Sequence, residues 1–241
     1  MPRVLDVVRI QLVHWPALLG YPLLALAAMP PLGWGIDVSN GETARGAHEI
    51  YLLPMLLGAI ASAHLQTMTQ VFPFTLGLGV TRRAFAAATA LVVLGQALLL
   101  GLGLVAFDIV ERLTGGWGRE TRIFGLDVLG HGNPLALWLV YSGPLVAVSA
   151  IGVLAGVVFQ RWRHTGIYLA IFGSVALLVA MGALAKTQNW WPSIGSFLGG
   201  QPSIGSFLGG QPSLTLFTAY PLVFALALGG AAWLVLRRAT A

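Results

Sequence analysis

Of the chain's 241 residues, 57% are hydrophobic and only 9% charged, and the mean hydropathy is +0.82. Soluble domains carry about 25% charged residues, so this composition excludes an ordinary water-soluble fold and places the chain in a bilayer. The formal charge of +5 would suggest nucleic acid in a soluble protein, but the arginines stand singly or in pairs between apolar runs. That is a membrane-topology pattern, and no nucleic-acid partner is expected. Cysteine is absent, which excludes disulfides, iron-sulfur clusters and thiolate metal sites. Of the 13 basic residues only Lys186 is lysine, a bias that fits GC-rich coding and points to a bacterial source.

Residues 2–14 set Val4, Val7, Val8, Ile10, Leu12 and Val13 among Arg3, Asp6, Arg9, Gln11 and His14. This mixture predicts an amphipathic helix lying in the membrane interface. No removable signal peptide is expected, because no short apolar core with a small-residue cleavage site follows Met1 to Asp6. Residues 15–34 hold no charge and predict a first span, despite Pro16, Pro22, Pro30 and Pro31. Asp37, Glu42, Arg45, His48 and Glu49 then require water or headgroups. A second apolar run covers 50–72 and a third 84–107, each long enough to cross.

The most polar part of the chain, residues 108–134, carries Asp108, Glu111, Arg112, Arg119, Glu120, Arg122 and Asp127 and reads as a solvent-side loop. A fourth run, 134–160, ends in Arg161-Trp162-Arg163-His164, and a fifth, 166–185, ends at Lys186. Residues 187–236 are uncharged, but Trp190-Trp191-Pro192 and the following Gly, Ser and Pro residues make their first half a poor helix. The sixth span therefore falls at 214–236, closed by Arg237-Arg238. The expected fold is an all-α integral membrane protein, one domain over 1–241, with six transmembrane helices behind the interfacial helix.

Residues 192–201, Pro-Ser-Ile-Gly-Ser-Phe-Leu-Gly-Gly-Gln, recur unchanged at 202–211, and Pro212-Ser213 begins a third copy. A ten-residue unit is too short for a solenoid repeat. It is either a duplication tolerated in an exposed loop or a pair of short re-entrant or membrane-surface helices whose backbone groups protein or water satisfies.

Six spans divide the polar segments into two sets. Arg3, Arg9, Arg82, Arg83, Arg161, Arg163, Arg237 and Arg238 face one side with a single acid, Asp6. Arg45, Arg112, Arg119, Arg122 and Lys186 share the other side with the remaining seven acids. The positive-inside rule places both termini, and the segment holding Arg82-Arg83, in the cytoplasm.

Chemistry-bearing motifs are sparse. There is no Gly-x-x-x-x-Gly-Lys-Ser/Thr phosphate loop, so any ATP-driven function needs a partner subunit. Neither a Gly-x-Ser-x-Gly elbow nor a His-Glu-x-x-His zinc motif occurs, and His48-Glu49 lacks a second histidine one turn on. Only His64 of the five histidines lies inside a predicted span, and a bis-histidine haem would need a second one on a facing helix. His64, Gln66, Thr67 and Gln70 make the second span the most polar, and this edge either packs against a neighbouring helix or lines a substrate path. Gln96, Tyr141, Ser142 and Ser149 invite the same two readings. Apart from His64, no acid or base sits in the middle of a span, and without a buried Asp or Glu relay a proton-coupled transporter is not expected. Small residues at Gly101 and Gly103, at Gly152 and Gly156, and at Gly229 and Gly230 permit close helix approach.

Residues 71–85, Val-Phe-Pro-Phe-Thr-Leu-Gly-Leu-Gly-Val-Thr-Arg-Arg-Ala-Phe, form a polar-tipped turn between two apolar runs. Pro73 interrupts the end of the second span, Gly77 and Gly79 loosen the chain, and Thr81 is placed to cap a helix starting at Arg82. An ordinary positive-inside anchor would need only Arg82-Arg83, and it leaves the apolar, glycine-punctuated approach unaccounted for. In Phe72-Pro73 and Leu78-Gly-Val-Thr-Arg-Arg83, and in the order of spans around them, the sequence resembles the permease subunits of ABC transporters of the ABC-2 type.

That resemblance implies a bacterial exporter in the cell membrane that is a transport subunit rather than an enzyme. It also implies that Leu78, Gly79, Val80, Thr81, Arg82 and Arg83 form a coupling helix docking into a separate ATP-binding cassette subunit. ATP and magnesium would be held by that partner, with no cofactor or metal in this chain, and a second permease would complete a homo- or heterodimer. The residues alone leave two other classes open: an integral membrane enzyme or cofactor-bearing subunit using His64 and the outer-loop charges, and a non-transporting sensor or immunity protein.

Overall fold

In hydrocarbon the backbone has no water to bond, so an apolar chain pairs its N–H and C=O groups internally, which a helix does within one segment. The computed structural model describes residues 4–40, 49–117, 123–124, 133–187 and 215–238, and every regular element among them is helical. These are α1 (Val4–Val13), α2 (Tyr21–Asn40), α3 (Glu49–Gln66), α4 (Phe72–Gly77), α5 (Arg82–Leu113), α6 (Pro134–Thr187) and α7 (Tyr220–Arg238). Four helices among the described residues are long and apolar enough to cross a membrane: Pro16–Gly33, Arg82–Leu113, Pro134–Arg163 and Phe217–Arg237. They coincide with the first, third, fourth and sixth apolar runs. The second run lies in helix that continues from α3 to Gly77. The fifth forms the latter part of α6, which breaks at Arg163 (φ 53°, ψ −142°) beside the charges that separate the two runs. The repeat at 192–211 lies outside the described residues, as do Glu42, Arg45, His48, Arg119, Glu120, Arg122, Asp127 and His131.

Pro73 does not end its helix. A five-residue π-turn, Thr67–Val71, precedes it, and the Phe72 N–H bonds to the Thr67 carbonyl five residues back. The wider turn accommodates the proline ring, which in a regular helix collides with the carbonyl four residues earlier. The same device occurs at Pro16–Gly20, where the Tyr21 N–H bonds to the Pro16 carbonyl ahead of Pro22, and at Thr215–Ala219 ahead of Tyr220-Pro221. Each π-turn is thus followed by an aromatic residue and then proline.

Each joint leaves carbonyls without their intrahelical donors; side-chain amides of neighbouring helices bond to them at two joints, and a close-packed glycine faces the third. Gln96 Nε2 of α5 donates to the Leu18 carbonyl, four residues before Pro22. Gln160 Nε2 of α6 donates at 2.9 Å to both the Met68 and Thr69 carbonyls, which Phe72 and Pro73 leave free. Gly143 lies against the Phe217 carbonyl, four residues before Pro221, so closely that a Cβ there would collide with it. Proline bends in lipid persist where a neighbour satisfies the freed groups.

α6 is the central helix, packing against α3, α5 and α7. Gly152 and Gly156, one turn apart, seat it on α3: a Cβ at 152 would strike the Ala61 backbone and one at 156 the Met68 side chain. Their spacing is therefore a true close-approach motif. The expectation for Gly229 and Gly230 is not met, since a Cβ at either position meets nothing. Two apolar clusters fill the interior. One joins Leu26, Leu56, Ile60, Leu100 and Leu145, and the other gathers Val7, Phe72, Val80, Phe85, Val157 and Leu236 at the end that carries the arginines.

Candidate functional site at the arginine turn

α4 ends in a Schellman motif. The Val80 N–H bonds to the Thr75 carbonyl at 3.1 Å and the Gly79 N–H to the Leu76 carbonyl at 3.0 Å, with Gly79 at φ 79°. Glycine suits this left-handed position because it has no Cβ to clash. Val80 turns inward and is buried with Phe72 and Phe85, whose rings meet edge to face with centroids 4.9 Å apart. Thr81 is extended (φ −73°, ψ 146°), and its hydroxyl accepts from the Ala84 N–H at 3.2 Å, capping α5 as expected. A C-cap and an N-cap thus meet across Val80 alone, which makes a sharp corner fixed on both sides.

The corner projects apolar side chains outward. Phe74 is 61% exposed and Leu78 59% exposed, with Pro73, Gly77, Gly79 and Arg83 also on the surface. Arg82 reaches sideways, and its Nη1 donates at 3.1 Å to the Arg237 carbonyl in the last turn of α7. A cation bonded to a terminal helix carbonyl is favourable for both hydrogen bonding and the helix dipole. The six turn residues therefore divide: Val80 anchors, Gly79 and Thr81 shape the turn, Arg82 ties it to α7, and Leu78 and Arg83 face outward.

α1 braces the corner from the side. Val7 is buried in the same cluster, and the buried Gln11 donates to Thr89 Oγ1 of α5 at 2.9 Å, while Thr89 donates to the Phe85 carbonyl. Gln11 thus faces the protein, and Leu5, Leu12 and Val13 are exposed, a reversal of simple apolar-in amphipathicity that the Thr89 hydroxyl makes possible.

The polar edge of α3 and of the π-turn that continues it does not form one line. His64 and Thr67 are buried, Gln66 is half-buried and Gln70 is exposed. His64 Nε2 pairs with Gln96 Oε1. Because the Gln96 amide nitrogen donates to Leu18, its oxygen accepts and His64 Nε2 carries the proton, leaving Nδ1 unpartnered. Thr67 returns its hydroxyl to the Ala63 carbonyl at 3.0 Å. These bonds join α3, α5 and the Pro16–Gly20 turn and favour the packing reading for His64 and Thr67.

A scan of protein-family models, a search of curated proteins and a search of solved structures each gave no match for this chain.

At the opposite end of α5, Glu111 organises the segment that leaves the helix. Its carboxylate accepts from Trp117 Nε1 at 2.9 Å, from the Ile123 N–H at 2.8 Å and from the Phe124 N–H at 3.2 Å. Trp117 stands at φ 57°, and its ring and that of Phe124 pack on Phe107. Asp108, also buried, holds Arg112 at 2.9 Å. Among the described residues no group of three or more His, Asp or Glu side chains is positioned to hold a metal ion.

Sequence reasoning missed the roles of Gln160, Gln11 and Glu111. The aromatic-proline pairs at 21–22, 72–73 and 220–221 were a readable sign that carbonyls would need outside donors.

Proposed function

We propose that this chain is the membrane-spanning subunit of an ATP-driven ABC exporter. In this reading it has six spans and both termini in the cytoplasm of a bacterial cell, with α1 lying in the membrane interface. It pairs with a second permease, identical or different, and works with separate ATP-binding cassette subunits that hold ATP and magnesium.

The observation that carries the reading is the corner at 78–83. Exposed Phe74 and Leu78 flank a surface arginine on a base anchored in α1, α5, α6 and α7, and a solvent-side anchor has no use for so much outward apolar surface. An apolar tip with a positive charge suits insertion into a groove of a soluble partner. Because Arg82 and Val80 link the tip to α7 and to the span-end cluster, motion of the partner would be passed to several helices at once.

The test is co-purification with a Walker-type ATPase, sought first among the genes beside this one. Arg82→Glu with Arg83→Glu, and separately Leu78→Ser with Arg83→Glu, are expected to leave the chain inserted and to abolish co-purification. Retention of the ATPase by both variants would sink the proposal.

A further inference from the structure

α7 packs closely on α6 but only lightly on α5, and a cavity of about 340 Å³ lies between the three helices. That is within the range of about 300–1,000 Å³ for small-molecule sites. Its walls are apolar, from Val93 and Leu94 on α5 through Val153 on α6 to Leu226 on α7, and Gly229 and Gly230 leave room where side chains would otherwise stand. Thr89 is the sole hydroxyl in the lining, and its proton is committed to the Phe85 carbonyl. The rim residues Leu94 and Leu226 are exposed, so the cavity is a groove open sideways. Lining residues run along α7 from Leu222 to Leu236, a rise of about 21 Å. One leaflet of hydrocarbon is about 15 Å deep, so the groove is long enough for one acyl chain and offers nothing to a polar ligand.

One end of the groove is charged. Ala86 and Trp233 line it, and Arg82 and Arg237 stand one helical turn beyond them on the same helix faces. The two helices run antiparallel, so both guanidinium groups come to the same end, where Arg82 bonds to the Arg237 carbonyl. Arg82 keeps further N–H donors, and the positive N-terminus of α5 adds to the field. An apolar slot of acyl length closed by two arginines matches a single-tailed portion of an anionic phospholipid and no neutral lipid equally well.

We propose that the α5–α6–α7 groove holds one acyl chain of an anionic phospholipid whose phosphate sits on Arg82 and Arg237. This site does not depend on the transport reading and would exist in a chain of any membrane function.

The probes are phosphatidylglycerol, phosphatidylcholine and inorganic phosphate, added to the full chain in neutral detergent. Binding is read by native mass spectrometry and protection by the thermal unfolding midpoint. Phosphatidylglycerol is expected to bind roughly 25-fold more tightly than phosphatidylcholine, about fivefold for each of two arginines at an anionic headgroup. Inorganic phosphate should not protect.

Arg82→Gln with Arg237→Gln should equalise the two lipids. Gly229→Leu with Gly230→Leu, which fills open space and should leave the circular dichroism spectrum unchanged, should lose the retained lipid altogether. Four results would overturn the proposal: an unchanged lipid preference in the arginine variant, lipid retention in the glycine variant, protection by inorganic phosphate equal to that by lipid, or a glycine variant that changes oligomeric mass and not lipid content. The last would assign the groove to a second copy of the chain.

Discussion

Gln160 offers the sharpest test of how the helices are held together. Its amide donates to the Met68 and Thr69 carbonyls at 2.9 Å each, the two acceptors that the π-turn and Pro73 leave without intrahelical donors. Side-chain hydrogen bonds between membrane helices average about 0.6 kcal/mol and reach about 1.7, so Gln160→Leu should cost about 1–3 kcal/mol. The proline supplies a control. Pro73→Ala returns an N–H to the Thr69 carbonyl and allows the turn to relax to α-helix, which re-pairs Met68 as well. In that background Gln160→Leu should cost less than about 0.5 kcal/mol, a coupling that a double-mutant cycle isolates. The assay is reversible unfolding in mixed detergent micelles, followed by far-ultraviolet circular dichroism. An equal cost in both backgrounds would refute the reasoning, because it would mean that Gln160 stabilises through something other than the orphaned carbonyls.

Four further outcomes rest on the contacts described above. Gln96→Leu removes the partners of both His64 and Leu18 and should destabilise by about 2–4 kcal/mol, and Pro22→Ala should rescue only part of it; full rescue would show that His64 contributes nothing. Gly152→Ala, which drives a Cβ into the Ala61 backbone, should cost about 1–3 kcal/mol. Gly229→Ala, with open space at the Cβ, should stabilise by up to about 1 kcal/mol, and the same micelle unfolding checks both. Glu111→Ala frees the amides of Ile123 and Phe124, so their hydrogen exchange should rise by tenfold or more; unchanged protection would show that the carboxylate does not hold that segment.

The helices were legible because hydrocarbon imposes one rule on every residue: apolar runs of span length at 15–34, 84–107, 134–160 and 214–236 return as helices long and apolar enough to cross. The N-cap at the arginine turn was legible too, since Thr81 is a residue type that such a position demands; Gly79, expected only to loosen the chain, instead fixes it in the Schellman motif that ends α4. Pro73 misled because proline is read as a stop when its missing N–H is considered alone. Whether it stops a helix depends on a donor on another element, and Gln160 lies far along the chain. The polarity of Gln11, Gln96 and Glu111 was visible, but their partners are set by helix rotation, which an apolar pattern on nearly every face does not encode. Gly152 and Gly229 look alike in sequence, and only the helix opposite each one distinguishes a seat from a gap.

The central claim is that the corner at Leu78 to Arg83 couples this chain to an ATPase. The most direct measurement is the ATP hydrolysis rate of the ATP-binding subunit that the proposal requires, sought among the neighbouring genes and reconstituted in liposomes with the wild-type chain or with Leu78→Ser/Arg83→Glu. The account expects the wild-type chain to change the rate severalfold and the variant, equally inserted, to leave it at the level of the ATPase alone. A variant that stimulates hydrolysis as well as wild type would contradict it.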